Sequence, residues 1–244
     1  AMGDTGPCGR CSELHYHRGN QVPCDEPVCR GIDCSCDRYV EIWNNVFMEF
    51  SRTSTGELTP LPAASIDTGM GLERIVAVLQ DKVSNYDTDL FKPLLHALGE
   101  YTGHRYGPHT PQRSPGLNDV SMRVVADHLR AMAFLIADGV MPSNEWRGYV
   151  LRKIMRRAMR HGKRLGVSGP FLHELVDVLV DEMGPPYPEL PANRDAIVQV
   201  VRAEEERFDA VLTDGLPRLE SALAAAAEGG TLPGVDVFRL YDTH

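Results

Sequence analysis

The sequence predicts an α+β chain in which a strand-bearing first half precedes an all-α second half. Three observations predict it. Tyr39–Phe50 (YVEIWNNVFMEF) is β-branched and aromatic, which is strand composition. Gly69-Met70-Gly71 stands between a short strand-like run and the apolar-periodic segment Leu72–Gln80, a strand-to-helix passage. From residue 118 onward apolar residues recur every three or four positions, the helical period.

In chain order, residues 1–36 are rich in Gly, Pro, Cys and Asp and predict a loop with at most short strands, His15 and His17 alternating on one of them. Tyr39–Phe50 is the first long strand. Ser51–Pro62 contains Thr-Gly-Glu and two prolines and predicts a connection, and Ala64–Thr68 a second short strand. Helices are expected over Leu72–Gln80 and Asp87–Gly99. The Gly/Pro/His/Ser-rich segment 102–117 has no periodicity and divides a first domain, 1–101, from a helical domain, 118–244. In the latter, Val125, Leu129, Met132 and Ile136 follow an Asn118-Asp119 start signal. Leu172 to Met183 form a second stripe, Ile197 to Leu212 a third, and Val235–Tyr241 a final apolar segment.

The 244 residues are 43% hydrophobic and 24% charged, which is globular composition. Without about 18 uninterrupted apolar residues anywhere, a membrane span is excluded. No signal peptide opens the sequence, so a cytoplasmic, reducing compartment is expected. The net charge of −9 argues against a surface that coats nucleic acid all round. One segment runs against it. Over Tyr149–Gly166 the apolar residues Leu151, Ile154, Met155, Ala158 and Leu165 cluster on one side. Arg152, Lys153, Arg156, Arg157, Arg160, Lys163 and Arg164 project on the other, with no acid among them. This face is either simply solvated or binds a phosphate backbone, and the absence of neutralising acids in the run favours phosphate.

All six cysteines lie before residue 40. Cys24, Cys29, Cys34 and Cys36 offer four thiolates to one structural Zn²⁺; free thiols and disulfides are the other readings. Cys8 and Cys11 stand outside that set, and adding them to it is the less favoured reading. Around Gly69 and Gly71, the glycines let a ligand approach the backbone, and a helix N-terminus favours anions. Arg74 is placed to fork onto a phosphate and Asp67 offers a carboxylate nearby. Together they suit a ligand with both phosphate and ammonium groups. Asn44 and Val46 share a strand face by period two, leaving Trp43 and Phe47 on the opposite, core-like parity.

Gly69-Met70-Gly71-Leu72-Glu73-Arg74, following a strand and opening a helix, resembles motif 3 of the class II aminoacyl-tRNA synthetases. Seven strings narrow the resemblance to the alanyl-tRNA synthetases: those beginning at Met2, Glu41, Asp67, Ser84, Ala137, Arg147 and Phe238. The fold this implies is part of the class II antiparallel sheet with its motif 3 helix, then a helical domain that reads the tRNA acceptor stem. Motifs 1 and 2 find no counterpart, so the expectation is an interior piece of a longer synthetase, inactive by itself. The implied activity is alanine–tRNA ligation: ATP with Mg²⁺ activates alanine to alanyl-adenylate, and the acyl group passes to the tRNA for alanine. By resemblance, Asp67 binds the substrate ammonium and Arg74 the ATP phosphates. Asn44, Val46, Gly69 and Gly71 line the substrate pocket, Cys8 and Cys11 of the string Gly-Pro-Cys-Gly-Arg-Cys are buried near the active site, and Asn144 and Asp242 recognise a G·U pair in the acceptor stem. Read without the resemblance, Asp67 is a helix-start acid, the two glycines make a turn, Asn144 is a helix cap and Asp242 a surface acid. A non-catalytic RNA-binding module is the alternative function, and a scaffold whose basic helix meets a protein partner is a third.

Overall fold

The computed structural model describes residues 3–24, 26–108, 115–226, 230–235 and 237–238. The architecture is α+β, with three strands forming one antiparallel sheet in the order β1-β2-β3 and helices after it. β1 is Gly6–His17, β2 Tyr39–Arg52 and β3 Leu58–Met70. The helices are α1 (Leu72–Leu79), α2 (Lys92–Thr102), α3 (Leu117–Ala137), α4 (Trp146–Arg164), α5 (Val176–Met183), α6 (Glu189–Ala192) and α7 (Arg194–Ala225). Two compact units emerge: 1–92 with 108–115, and 93–107 with 116–244.

β1 corrects the expectation of a loop over the first residues. Its Cys, Gly and Ser content hides a strand that pairs with β2 from Gly6↔Arg52 to His17↔Tyr39. The ladder shifts register between Cys8 and Gly9. Only glycine fits there, because a Cβ on Gly9 would lie 1.6 Å from the Phe47 carbonyl oxygen. β3 is also longer than the Ala64–Thr68 expected and takes in Pro60 and Pro62. It is a sheet edge, where prolines are tolerated: Pro60 stands opposite Phe50, and Pro62 falls in the stretch where the register shifts before pairing resumes at Ser65↔Met48. Trp43 and Phe47, expected in the core, are not there. Phe47 is exposed, and Trp43 turns its Nε1–H to Thr68 Oγ1 at 2.5 Å. Among the described residues of this unit the buried apolar side chains are Val22, Ala77 and Phe91, so the sheet keeps open faces.

The expected helix Asp87–Gly99 is two pieces. A 3-10 turn, Asn85–Asp87, receives a cap from Ser84 Oγ to the Tyr86 N–H, and α2 starts afresh with Pro93 in its first turn, where a missing N–H costs nothing. In the second unit the predicted apolar stripes form the core, except that Phe208, Val211 and Leu212 at the end of the third stripe are only half-buried: Met122, Val125, Leu129 and Met132 of α3, Leu151 and Met155 of α4, Leu179 of α5, and Ile197 and Val201 of α7 are all essentially inaccessible. Each such side chain contributes about 1.5–3 kcal/mol of burial. The Leu172–Met183 stripe begins as a 3-10 turn, Leu172–Leu175, and continues as α5. No helix among the described residues is long and apolar enough to cross a membrane. The apolar segment expected at Val235–Tyr241 lies largely outside the described residues.

Candidate functional site

Strand register assembles the first group of residues. Across β2 and β3, Asn44 stands opposite Gly69 and Val46 opposite Asp67. Across β1 and β2, Asn44 stands opposite Glu13 and Val46 opposite Cys11. Residues directly opposite project to the same side of a sheet. Asn44, Val46, Asp67 and Gly69 therefore share one face, with Asp67 exposed and Val46 half-buried. Asn44 Nδ2 donates to Glu13 Oε1 at 2.9 Å, and His15 Nε2 lies 3.0 Å from Glu13 Oε2. Glu13 therefore fixes which way the Asn44 amide points. The sequence reading missed Glu13; its only local signal is the alternation of Cys11, Glu13 and His15.

α1 supplies the second group. Gly71 is its N-cap and donates its N–H to the Ile42 carbonyl at 3.1 Å, tying the helix start to β2. Arg74, in the first turn, donates through Nη1 to the Glu41 carbonyl at 2.9 Å and lies 3.4 Å from the Glu41 carboxylate. A guanidinium has five N–H donors, and among the described residues Nε and Nη2 carry no hydrogen bond, which leaves them able to meet a ligand. Arg18 was not foreseen. Burial lowers its guanidinium from its ordinary value; Asp37 opposes this and the charge of Arg74 adds to it. Its Nε is buried without a hydrogen-bond partner. Arg18 and Arg74 thus place positive charge together beside the start of α1, a setting for an anion.

The four expected cysteines converge. The Sγ atoms of Cys24, Cys29, Cys34 and Cys36 all lie within 4.8 Å of one another, with Cys24–Cys34 at 3.4 Å and Cys29–Cys36 at 3.7 Å. A tetrahedral zinc with Zn–S near 2.3 Å needs S···S edges of about 3.8 Å, so the donor set fits the ion. The thiols differ. The Cys36 N–H and the Cys24 thiol bring Cys34 down to about 7. Cys24, although the Glu26 N–H favours its thiolate, is pushed up to about 12 by desolvation and by its three sulfur neighbours. Four sulfurs this close share negative charge poorly unless a cation lies between them. Cys8 and Cys11 are not buried as expected; Cys8 is half-exposed and Cys11 exposed.

On α4 the seven cations do not form one free face. Acids of α7 answer several of them, a pairing the run of sequence does not reveal. Glu204 is fully buried (0% exposed); its Oε1 lies 3.2 Å from Arg152 Nε and 3.1 Å from Arg156 Nε. Lys163 pairs with Asp209 at 2.6 Å, and Arg157 Nη1 lies 3.1 Å from His128 Nε2. Lys153 sits over the Tyr149 ring at 5.2 Å. Arg160 and Arg164 are exposed and carry no ion pair among the described residues. Asn144 is exposed and is not a helix cap: Glu145 holds that position, and Asn144 Oδ1 accepts from Arg152 Nη1. Asp242 lies outside the described residues.

The whole sequence, residues 1–244, matches the family of class II (A) tRNA synthetases. It is 50% identical over 263 residues to an alanine–tRNA ligase of Anaeromyxobacter sp. (strain Fw109-5), covering 100% of this chain and 28% of that protein. It is 53% identical over 243 residues to one of Acidithiobacillus ferridurans, covering 100% of this chain and 27% of that protein. A third, from Magnetococcus marinus (strain ATCC BAA-1437 / JCM 17883 / MC-1), is also 53% identical over 243 residues. The chain therefore spans little more than a quarter of the length of the relatives it matches. With the family match running from its first residue to its last, this chain belongs to the class II tRNA synthetases.

Proposed function

We propose that this chain carries the amino-acid- and ATP-binding face and the acceptor-stem-reading helices of an alanine–tRNA ligase. The observation that carries the reading is the register that sets Asn44, Val46, Asp67 and Gly69 on one sheet face, one strand-to-helix turn from Arg74.

The exposed Asp67 carboxylate takes the ammonium of alanine, and Asn44, held by Glu13, hydrogen-bonds the substrate beside it. Val46 limits the room for the side chain, and Gly69, opposite Asn44, leaves space above the sheet. Arg74, with Gly71 ahead of it, holds the ATP phosphates, and Arg18 adds to the positive field. The alanine carboxylate attacks the α-phosphorus; its new P–O bond forms as the bond to pyrophosphate breaks. Mg²⁺ bound with the nucleotide would supply charge compensation on the phosphates. The residues here act by positioning and by compensating charge, as in other transfers at phosphorus. The adenylate then gives its acyl group to the terminal ribose of the tRNA for alanine. The second unit holds that tRNA: cations of α4 meet phosphates, while Asn144 and Asp242 read the G·U pair. A structural Zn²⁺ held by Cys24, Cys29, Cys34 and Cys36 would pin the segment between β1 and β2.

The test is kinetic, in a full-length synthetase that includes these residues. By alanine-dependent pyrophosphate exchange, Asp67→Ala should raise the KM for alanine more than that for ATP, and Arg74→Ala the reverse. Equal effects on both substrates would remove the role assignment.

A further inference from the structure

Trp146 is the first residue of α4, two positions after Asn144, and two features of it conflict with ordinary stability. Its φ is +52°, in the left-handed region where a bulky side chain crowds its own backbone and glycine does not. It is 89% exposed, so burial returns almost nothing for that strain. The backbone around it is pinned. The Ser143 N–H donates to the Gly148 carbonyl at 3.1 Å, the Ser143 hydroxyl donates to the Glu145 carbonyl at 2.8 Å, and the Glu145 N–H donates back to Ser143 Oγ at 3.3 Å. Gly148 admits that closure, since a Cβ there would lie 2.3 Å from the Met141 carbonyl oxygen and from Ser143 Oγ. The tight turn thus fixes the backbone from which an indole projects into water, at a conformational cost.

We infer that Trp146 is a stacking residue for an unpaired nucleobase of the RNA bound by α4. The inference rests on the RNA-binding reading of that helix. α4 contains no acidic residue, and Arg147, Lys153, Arg160 and Arg164 give it the charge that phosphates need. Tyr149 and Val150 are exposed beside them, a mix of flat apolar and cationic groups that suits nucleotides. An indole needs a base face. The wide, shallow groove of an RNA helix shows only edges and sugars, so a face is offered by a single-stranded tail, a bulge or a helix end. A held backbone presents the indole to solvent before binding, and the strain at φ is retained for function rather than for stability.

The chain has two tryptophans, so Trp43→Phe in the full 244-residue chain leaves Trp146 as the sole indole reporter. The probes are an RNA hairpin with a G·U pair in its stem and a single-stranded 3′ tail, and the same hairpin cut blunt. The tailed hairpin should quench Trp146 fluorescence. Trp146→Gly should bind it about tenfold more weakly while binding the blunt hairpin as before, and Trp146→Phe should keep most of the affinity. Trp146→Gly should also unfold about 2–4 °C higher, which separates lost stacking from lost folding. If Trp146→Gly binds the tailed hairpin as tightly as the parent, or weakens both hairpins equally, base stacking is overturned and the RNA reading survives. If the parent binds neither hairpin, both fall, and a protein partner becomes the occupant of this surface.

Discussion

Asn144 is oriented by Arg152: the guanidinium, two turns along α4, donates to its Oδ1. Arg152 is held in turn by the buried carboxylate of Glu204, which Arg156 also meets. Arg152 and Arg156 are therefore part of the folded framework, and charge for RNA has to come from other cations of the helix. Arg156→Ala should leave Glu204 short of a partner and destabilise the second unit by about 3 kcal/mol in denaturant unfolding. Arg160→Ala with Arg164→Ala should cost little stability. It should weaken binding to every RNA hairpin alike and make binding less salt-sensitive. A larger RNA effect from Arg156 than from Arg160 and Arg164 at equal folding would reverse this division.

Val46 faces Asp67 across the β2–β3 ladder, so a substrate ammonium at Asp67 brings its side chain toward the valine. In a full-length synthetase, Val46→Gly should admit 2-aminobutyrate, one methylene larger than alanine. The kcat/KM preference for alanine should fall by about 1–3 kcal/mol, as measured by pyrophosphate exchange with the two amino acids. An unchanged preference would place the size limit on another residue.

The cysteine cluster gives a pH-dependent signature. With Cys34 near 7 and Cys24 near 12, about half of Cys34 is thiolate at neutral pH and Cys24 is almost wholly protonated. Iodoacetamide on metal-stripped protein should label Cys34 ahead of Cys24, with a rate that rises through pH 7 and levels off above it. Zinc, expected at about one ion per chain by metal analysis, should abolish that labelling. Labelling indifferent to zinc would leave the four thiols a packing role only.

Glu205 reaches from α7 to the start of the Leu172–Leu175 turn. One oxygen accepts from the Phe171 and Leu172 N–H groups at 2.7 Å each; the other accepts from the His173 N–H at 3.1 Å and lies 2.8 Å from His173 Nδ1. Glu205→Ala strands those donors in a buried place and should cost about 3 kcal/mol, with Glu205→Gln recovering part of it. Equal losses for the two substitutions in urea unfolding would mean that the amide cannot serve the same donors.

Two periodicities were legible without coordinates. The three-to-four spacing of Val125, Leu129, Met132 and Ile136, and of Leu151, Met155 and Ala158, fixes which helix faces become core, because burial of an apolar stripe needs only local geometry. The alternation of Asn44 and Val46 fixed their common strand face. The proximity of Cys24, Cys29, Cys34 and Cys36 likewise followed from their short spacing.

The remaining features belong to pairings between distant segments, which no window of sequence contains. β1 is a strand because β2 offers it a ladder, not because Gly6–His17 has strand composition. Register alone brings Asp67 opposite Val46 and Glu13 opposite Asn44; a slip of one residue would turn each to the other face. The charge of α4 read from sequence is that of Arg152 to Arg164 by themselves, whereas the folded helix is answered by Glu204 and Asp209 on α7. Sequence determined which side chains are available as cations, thiols and carboxylates. The tertiary structure decided which of them neutralise one another inside the protein and which are left to meet a ligand, because Coulomb and hydrogen-bond energies depend on distance in space.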